Sequence, residues 1–279
     1  MNPTPRSRVA HVARSLARML WVPLPHVAQP KGAHQPTGGY TVTLRPGEVD
    51  MGGFVIHYKI PTDAPNVVLW SPKSGRRVHV TVVKADSGTG KSTLLLQLYR
   101  SIRDRLSSPL GFDFDPDMTV PEDVAIAFLP QKAPIVGHWK VRDLVPDNSD
   151  FARQLLTEYT GSSLLSMRVG QLSGGQCMRI YVSSALERLS GSLAHAAFLL
   201  LDETLDGVGE EQEVTACVAA IAAVWERQSP QKPLHLMLAS HKQLGKGGLS
   251  IPGSISLGMD VHSRKGAALE VHMQNLENW

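Results

Sequence analysis

The sequence predicts an α/β fold in which a mostly parallel β-sheet is flanked by helices. Three short apolar runs, "VHVTVV", "AAFLLL" and "LHLMLA", have the composition of buried strands. A helical pattern, "STLLLQLYRSI", follows the first run after a glycine-rich turn, and another, "CMRIYVSSALERL", precedes the second. Strands that alternate with helices in this way are typical of an α/β architecture.

Length and composition agree with a globular protein of this class. The chain has 279 residues, of which 42% are hydrophobic and 19% are charged, so it can bury a substantial core. Its longest apolar run falls far short of the ~18 to 20 residues that a membrane-spanning helix needs, and we expect no span. Cys177 and Cys217 are too few for a disulfide framework or a zinc site, which favours a reducing compartment.

Residues 1–39 are predicted to be a basic arm and linker. The first acidic residue of the chain is Glu48, and six Lys or Arg residues precede it. The segment "TPRSRVAHVARSLARMLW" has Thr4 as a candidate N-cap, Pro5 at the first helical position, and apolar residues at helical spacing. Such a basic helix can lie on an anionic membrane, act as a mitochondrial targeting segment, or dock on the domain as a plain extension.

The turn "ADSGTGKST", residues 85–93, lies between the first strand and its helix. Its glycines allow successive backbone N–H groups to surround phosphate oxygens, and the helix N-terminus adds its dipole. Lys91 would reach the terminal phosphates and Ser92 would offer its hydroxyl to Mg²⁺. This is a phosphate-binding loop of the Walker A kind, although Ala85 stands where the pattern has glycine. The residues expected to bind phosphate are Ser87, Gly88, Thr89, Gly90, Lys91, Ser92 and Thr93.

The other two apolar strands end in residues that can act on a bound phosphate. "AAFLLLDET" ends in Asp202 and Glu203, which places two carboxylates at the carboxyl edge of a parallel sheet. "LHLMLASHK" ends in His241. A single histidine after a strand is most often a surface or capping residue. His241 is therefore a functional candidate only because the other motifs accompany it.

The stretch "LSGGQ" places Gly174 and Gly175 at the start of a helix. Glycine is a poor helix former, so two at a helix start need a reason. Free N–H groups at a helix N-terminus bind anions, and a phosphate approaches such backbone closely when no Cβ stands in the way. With the Ser173 hydroxyl and Gln176, these residues form a predicted second anion site.

Taken together, these motifs resemble the ATP-binding cassette (ABC) family. Walker A "ADSGTGKST", the Q-loop "LPQ" with Gln131, the signature "LSGGQ", Walker B "FLLLDE" and the switch histidine in "ASHK" follow one another in that family's order. The resemblance covers about residues 45 to 260. It implies a P-loop NTPase core with an antiparallel β subdomain and a short helical subdomain.

The resemblance also implies a division into parts. Residues 40–279 would form the nucleotide-binding domain, with the helical subdomain at about 132–175. That subdomain is shorter than is usual in the family, but "SDFARQLLTEY" predicts a helix in it. Ser149 would be its N-cap, and Phe151, Leu155 and Tyr159 would share one face.

The mechanism implied by the resemblance is hydrolysis of Mg-ATP between two cassettes in head-to-tail contact. Lys91 and the loop amides would hold the β- and γ-phosphates, with Ser92, Gln131 and, through water, Asp202 attending the metal ion. Glu203 would polarise the attacking water and His241 would bind the γ-phosphate. The signature residues Ser173, Gly174, Gly175 and Gln176 would close the site on the opposite chain.

The resemblance also suggests two further nucleotide contacts, each with an open question. The opening strand looks like that of exporter-type cassettes, in which a tyrosine stacks on adenine; Tyr58, 33 residues before Lys91, is the candidate. Trp70, 21 residues before Lys91, is the rival, and either aromatic could belong to the core. Asp206 is the candidate D-loop aspartate that faces the nucleotide, but it follows Glu203 by only three residues, so this loop looks shortened.

The expected function is an ATPase subunit that powers a transporter through a separately encoded polytopic membrane subunit. We expect a cytoplasmic protein, peripheral at the inner face of a membrane, with a second cassette as partner and without nucleic acid. One alternative is a soluble cassette ATPase that acts on nucleic acid or ribosomes. The other is a degenerate cassette that binds ATP as a regulatory ligand, which Ala85 and the short loop favour.

Overall fold

The computed structural model describes the chain in thirteen segments. They are residues 40–44, 47–50, 55–59, 66–70, 77–84, 91–104, 112–114, 124–131, 137–156, 162–194, 196–242, 254–262 and 268–275. The predicted basic arm, residues 1–39, lies outside them, so its interpretations stay predictions.

Eleven strands occur in these segments and form two sheets. In chain order they are β1 (Tyr40–Leu44), β2 (Gly47–Asp50), β3 (Val55–Lys59), β4 (Asn66–Trp70), β5 (Val78–Lys84), β6 (Phe112–Phe114), β7 (Val124–Leu129), β8 (Ala196–Asp202), β9 (Leu234–Ser240), β10 (Ser254–His262) and β11 (Ala268–Asn275).

The larger sheet has the order β2-β3-β11-β10-β5-β9-β8-β7 among the described strands. β5, β9, β8 and β7 run parallel to one another, and β10 continues this parallel part beside β5. The strands β5, β8 and β9 are the three that the apolar runs predicted, and β7, β8 and β9 are buried along their whole lengths. The predicted α/β fold with a mostly parallel sheet is therefore confirmed.

A smaller antiparallel sheet has the order β4-β1-β6. The opening stretch around Tyr58 forms two strands, β2 and β3, which pair antiparallel on the edge of the larger sheet. Tyr58 lies in β3 and Trp70 ends β4. The choice between them as adenine contact stays a prediction.

Five α-helices are present in the described residues. They are α1 (Lys91–Asp104), α2 (Asp150–Leu155), α3 (Ser162–Ser166), α4 (Gly174–Ser190) and α5 (Glu211–Gln228). Tyr99 of α1 packs its ring on Phe128 of β7. On β5, Val78, Val80 and Val82 point to one face of the sheet, and they belong to a core cluster with residues of α4 and α5. The helices therefore cover both faces of the sheet.

The short helical segments between β7 and α4 form a second, smaller core. It contains Val141, Val145, Ala152, Leu156, Leu164, Leu165 and, from α4, Ile180. Two 3₁₀-helices, Val141–Asp143 and Val169–Gln171, complete this region. Its limits as a subdomain stay a prediction.

The helix predicted after Ser149 is present but shorter than expected. The Ser149 hydroxyl accepts a hydrogen bond from the Ala152 N–H, which confirms the predicted cap. Phe151 and Leu155 are buried, as expected. The helix ends at Leu155 because Leu156 is extended and buries its side chain in the second core, and Tyr159 lies outside the described residues.

Two chemical expectations can be compared with the described residues. None of their helices is both long enough and apolar enough to span a membrane. Cys177 and Cys217 are free thiols buried in the core. Burial raises the pKa of Cys217 to about 11, so it is a neutral thiol at physiological pH.

Candidate functional site

The candidate site lies where β7, β8 and β9 end and where α1 begins. Because parallel strands end at the same edge, the residues that follow them, Gln131, Glu203 and His241, come together. Lys91, the first residue of α1, faces the same point. The structure thus brings together four residues to which the resemblance gives roles in binding phosphate, metal ion or attacking water.

Glu203 is at the centre of this group. Its Oε1 lies 2.6 Å from His241 Nε2 and 3.5 Å from Lys91 Nζ. Its Oε2 accepts a hydrogen bond of 2.5 Å from Gln131 Nε2. Three side chains from three separate parts of the chain therefore direct donors at one carboxylate.

The exposure of these side chains differs sharply. The Lys91 side chain is 3% exposed and that of Glu203 is 13% exposed. A lysine so deeply buried needs a partner for its charge, and Glu203 supplies one. His241, by contrast, is 41% exposed and lies at the mouth of the site.

Ser92 and Asp202 form a second contact at the same edge. The Ser92 hydroxyl donates to Asp202 Oδ1 over 2.8 Å. Burial raises the pKa of Asp202 above its ordinary value of 3.8; the Ser92 hydrogen bond lowers it, the Glu203 charge raises it and the Lys91 charge lowers it. A hydroxyl and a carboxylate side by side offer the hard oxygen ligands that Mg²⁺ prefers.

The backbone of Glu203 is held in an uncommon conformation. Its φ is +51°, in the left-handed region that non-glycine residues rarely adopt. The Glu203 N–H donates to the Ala239 carbonyl over 2.9 Å, and the Asp206 N–H donates to the Glu203 carbonyl over 3.1 Å. The neighbouring Thr204 hydroxyl donates to the Leu129 carbonyl at 2.9 Å, which ties this turn to β7.

Thr204 was not foreseen as a functional residue. It is 1% exposed and links the turn after β8 to β7, the strand that precedes Gln131. Its position directly after the acidic pair was the only sequence signal, and a threonine alone does not indicate such a link.

Asp206 is placed beside the end of β9. Its Oδ1 accepts from the Ser240 hydroxyl at 2.6 Å and its Oδ2 accepts from the His241 N–H at 3.0 Å. Both oxygens therefore bind groups of the same chain. The predicted contact of Asp206 with nucleotide stays a prediction.

The predicted helix begins at Gly174, and Ser173 is its N-cap. Ser173 and Gln176 bind each other's backbone: the Gln176 N–H donates to Ser173 Oγ at 3.2 Å, and the Ser173 N–H donates to Gln176 Oε1 at 3.0 Å. The N–H groups of Gly174 and Gly175 precede any intrahelical acceptor. They are the groups that an anion would bind at this helix start.

The two glycines of this motif have different surroundings. A Cβ on Gly175 would lie 3.3 Å from the Gly207 carbonyl oxygen, in the loop after Glu203, so internal packing disfavours a side chain there. A Cβ on Gly174 would meet nothing within 4 Å. Gly174 therefore faces open space, as expected if an external group approaches it.

Several predicted phosphate-binding residues cannot be placed. Residues 85–90, which contain Ser87, Gly88, Thr89 and Gly90, lie outside the described segments. Thr93 lies in the first turn of α1.

A sequence comparison gives the family of one part of the chain. Residues 76–206, which run from β5 to the loop after β8, match the family model described as ABC transporter. This part of the chain is an ATP-binding cassette of that family. Cassettes of this family are in general ATPases that bind ATP, so the match supports ATPase activity here. No curated protein sequence matches the chain.

Solved structures also resemble this cassette. One is an archaeal ribosome recycling factor in complex with a ribosomal stalk protein, at 17% identity and a TM-score of 0.53, over 87% of this chain. The match covers 41% of that protein, so this chain spans about two fifths of its length. Another is a bacterial ABC transporter cassette in a dimeric structure, at 16% identity and a TM-score of 0.48, covering 85% of this chain and 100% of that one. At these identities the likeness concerns the fold.

Proposed function

We propose that this cassette binds Mg-ATP and hydrolyses it as one half of a pair of cassettes. The observation that carries the proposal is the convergence of Lys91, Gln131 and His241 on the Glu203 carboxylate. Donors that converge on one anionic group at the end of a parallel sheet can also bind a terminal phosphate there. A carboxylate at the same point is suited to orient the attacking water.

Each residue would then have one task. Lys91, with the backbone of residues 87–90, would hold the β- and γ-phosphates, and His241 would donate to the γ-phosphate. Glu203 would accept a hydrogen bond from the water that attacks it. Tyr58 would stack on the adenine. Catalysis of this kind depends on positioning and charge, so loss of one group should cost several kcal/mol of barrier.

Ser92, Asp202 and Gln131 would hold the magnesium ion, Asp202 through water. The ion, when bound, supplies positive charge that neutralises the phosphate oxygens. The 2.8 Å contact between Ser92 and Asp202 is consistent with this, because both oxygens already lie together on one side of the site.

We further infer a role as the energy-coupling subunit of a transporter, whose membrane subunit is another chain. The description of the matched family supports this role. The protein would lie at the cytoplasmic face of a membrane, without nucleic acid as a partner. A ribosome-associated ATPase is the alternative, because one structural neighbour is by its name a ribosome recycling factor; a regulatory ATP-binding cassette is the third.

The binding proposal is tested by Lys91→Met, which keeps the length of the side chain and removes its charge. We expect at least a tenfold loss of Mg-ATP affinity in equilibrium titration. The matched control is Lys140→Met, because Lys140 is exposed and belongs to none of the motifs. Equal affinity of wild type and Lys91→Met would refute the phosphate assignment.

The transport proposal is tested by purification of the native protein from membranes. Recovery of a polytopic membrane protein in constant ratio with the cassette supports the proposal. Sedimentation with ribosomes, in a manner that high salt reverses, would instead support the alternative.

A further inference from the structure

Two segments of the site, residues 203–209 after β8 and residues 240–242 at the end of β9, are joined by a compact set of hydrogen bonds. One oxygen of the Asp206 carboxylate accepts a hydrogen bond from the Ser240 hydroxyl at 2.6 Å, and the other accepts one from the His241 N–H at 3.0 Å. The Lys242 N–H in turn donates to Ser240 Oγ over 3.0 Å. One carboxylate thus fixes the backbone of the chain directly at His241.

Lys242 closes the same arrangement from the other side. Its ammonium group donates to the Asp206 carbonyl over 2.7 Å and to the Gly209 carbonyl. The cation therefore bridges both ends of the turn that carries the Asp206 carboxylate. We call the side chains of Asp206 and Lys242, with the contacts just described, the loop clamp.

His241 needs such support more than its neighbours in the site do. Its side chain is 41% exposed, whereas that of Lys91 is buried and that of Glu203 is only 13% exposed. Packing orients a buried side chain, but an exposed imidazole takes its position mainly from its backbone. The contact between His241 Nε2 and Glu203 Oε1, at 2.6 Å, joins the two segments whose relative position the clamp sets.

We propose that Asp206 and Lys242 are positioning residues that hold His241 against Glu203. This inference rests on the proposed ATPase function for its catalytic consequence. It assigns Asp206 a task within its own chain, in addition to any contact with nucleotide. Neither residue needs to touch the substrate, because each acts through the backbone of residues 240–242.

The first test is a double-mutant cycle measured by ATP turnover. Asp206→Ala should lower kcat about ten- to hundredfold with KM changed less than about threefold, because small misplacements of a catalytic group are costly. Asp206→Asn should recover most of this loss, since its carbonyl can accept from the His241 N–H and its amide can donate to Ser240. In a His241→Ala background, Asp206→Ala should lower kcat no further than about twofold.

The outcomes separate this inference from the proposed function. If His241→Ala lowers kcat and Asp206→Ala adds its full loss on top, Asp206 does not act through His241 and the inference is overturned. If His241→Ala leaves kcat unchanged, the role of His241 in the proposed function fails, and the catalytic part of the inference fails with it. Asp147→Ala is the matched control, because Asp147 is exposed in the helical region.

The second test needs no turnover. In protein without nucleotide, Asp206→Ala should speed hydrogen exchange of the His241 amide at least tenfold, and Lys242→Met should speed exchange at Asp206 and Val208. The amides of β8 report whether either variant has loosened globally, and Lys140→Met controls for loss of a lysine. Unchanged exchange at these amides in both variants would overturn the clamp itself.

Discussion

At the scale of single residues, Glu203 combines an unfavourable backbone with a favourable set of partners. A non-glycine residue in the left-handed region costs on the order of 1 kcal/mol or more, so its surroundings must hold it there. The N–H of Glu203 is fixed to β9, and the side chain of Thr204 is fixed to β7. The carboxylate is thereby presented to Lys91 and His241 rather than to solvent.

This arrangement predicts opposite effects of Glu203→Gln on binding and on turnover. Gln removes a negative charge that would repel the γ-phosphate, so Mg-ATP affinity should rise about threefold or more. It also removes the group that orients water, so kcat should fall at least a hundredfold. Titration and single-turnover assays measure the two effects separately. Unchanged turnover would contradict the role of Glu203.

Burial of Asp202 predicts that removing its charge will raise the stability of the protein and weaken its binding of Mg²⁺. Its folded pKa is raised mainly by burial, so the folded protein holds the proton more tightly than the unfolded chain. Stability contributed by the protonated form is present below the unfolded pKa, near 3.8, and is lost as pH rises through the folded pKa.

Asp202→Asn removes this titration, so it should raise the free energy of unfolding at pH 7 in EDTA. The advantage should shrink as pH falls and be lost at roughly pH 3, below the unfolded pKa of 3.8, where the carboxyl is protonated in both the folded and the unfolded protein. Chemical denaturation at the two pH values measures it. The variant should also need more Mg²⁺ to bind ATP; a variant that is less stable at pH 7 would contradict the account.

At the scale of elements, α4 is stabilised by different means at its two ends. Ser173 and Gln176 cap its start reciprocally. At its end, the Lys232 ammonium donates to the carbonyls of Leu189 and Ser190 at 3.0 Å each, and to the Ser192 carbonyl at 2.5 Å. A cation at this position also opposes the negative end of the helix dipole.

Lys232 predicts a pH dependence of stability. Burial lowers its pKa to about 8 from its ordinary value of 10.5. Between these values the unfolded chain keeps a proton that the folded protein has released, so the free energy of unfolding should rise with pH in this window. Lys232→Met should lack that rise and should be about 1 kcal/mol less stable at pH 7, since three carbonyls lose a donor. If the free energy of unfolding changes with pH in the same way for the wild type and Lys232→Met between about pH 8 and 10, this account is contradicted.

The sequence predicts an element well when neighbouring residues determine it, and poorly when contacts between distant parts of the chain determine it. β5, β8 and β9 are apolar runs buried on both faces, and such runs indicate strands directly. The hairpin of β10 and β11 was not foreseen, because its place beside β5 and β3 depends on distant pairing. In the same way, the ends of strands predicted Glu203 and His241, whereas the contacts of Asp206 depend on how two loops approach.

At the scale of the whole molecule, the described structure separates the two sites that the sequence analysis predicts to bind anions. One is the edge of the sheet, where Lys91 and His241 converge on Glu203. The other is the start of α4, where Gly174 faces open space. An outward-facing helix start that binds phosphate needs its phosphate from another molecule. A second copy, or a related cassette, is the partner that would supply it.

We therefore expect Mg-ATP to join two copies of this chain, most visibly in Glu203→Gln, where slow hydrolysis lets the pair accumulate. Light scattering should show a doubled mass only with Mg-ATP. Ser173→Arg, combined with Glu203→Gln, should abolish the doubling, because a bulky cation would stand where the partner approaches.

Two further variants separate loss of the contact from loss of the helix cap. Ser173→Ala removes the cap, at about 1 kcal/mol, but leaves the surface open, so some dimer should remain. Gly174→Ala adds one methyl group into open space, so it should leave folding intact while keeping a phosphate away from the backbone. If Glu203→Gln saturates with ATP and stays monomeric, a homodimer is excluded. If Glu203→Gln dimerises and Gly174→Ala does not weaken the dimer, the start of α4 is not the contact with the partner's phosphate.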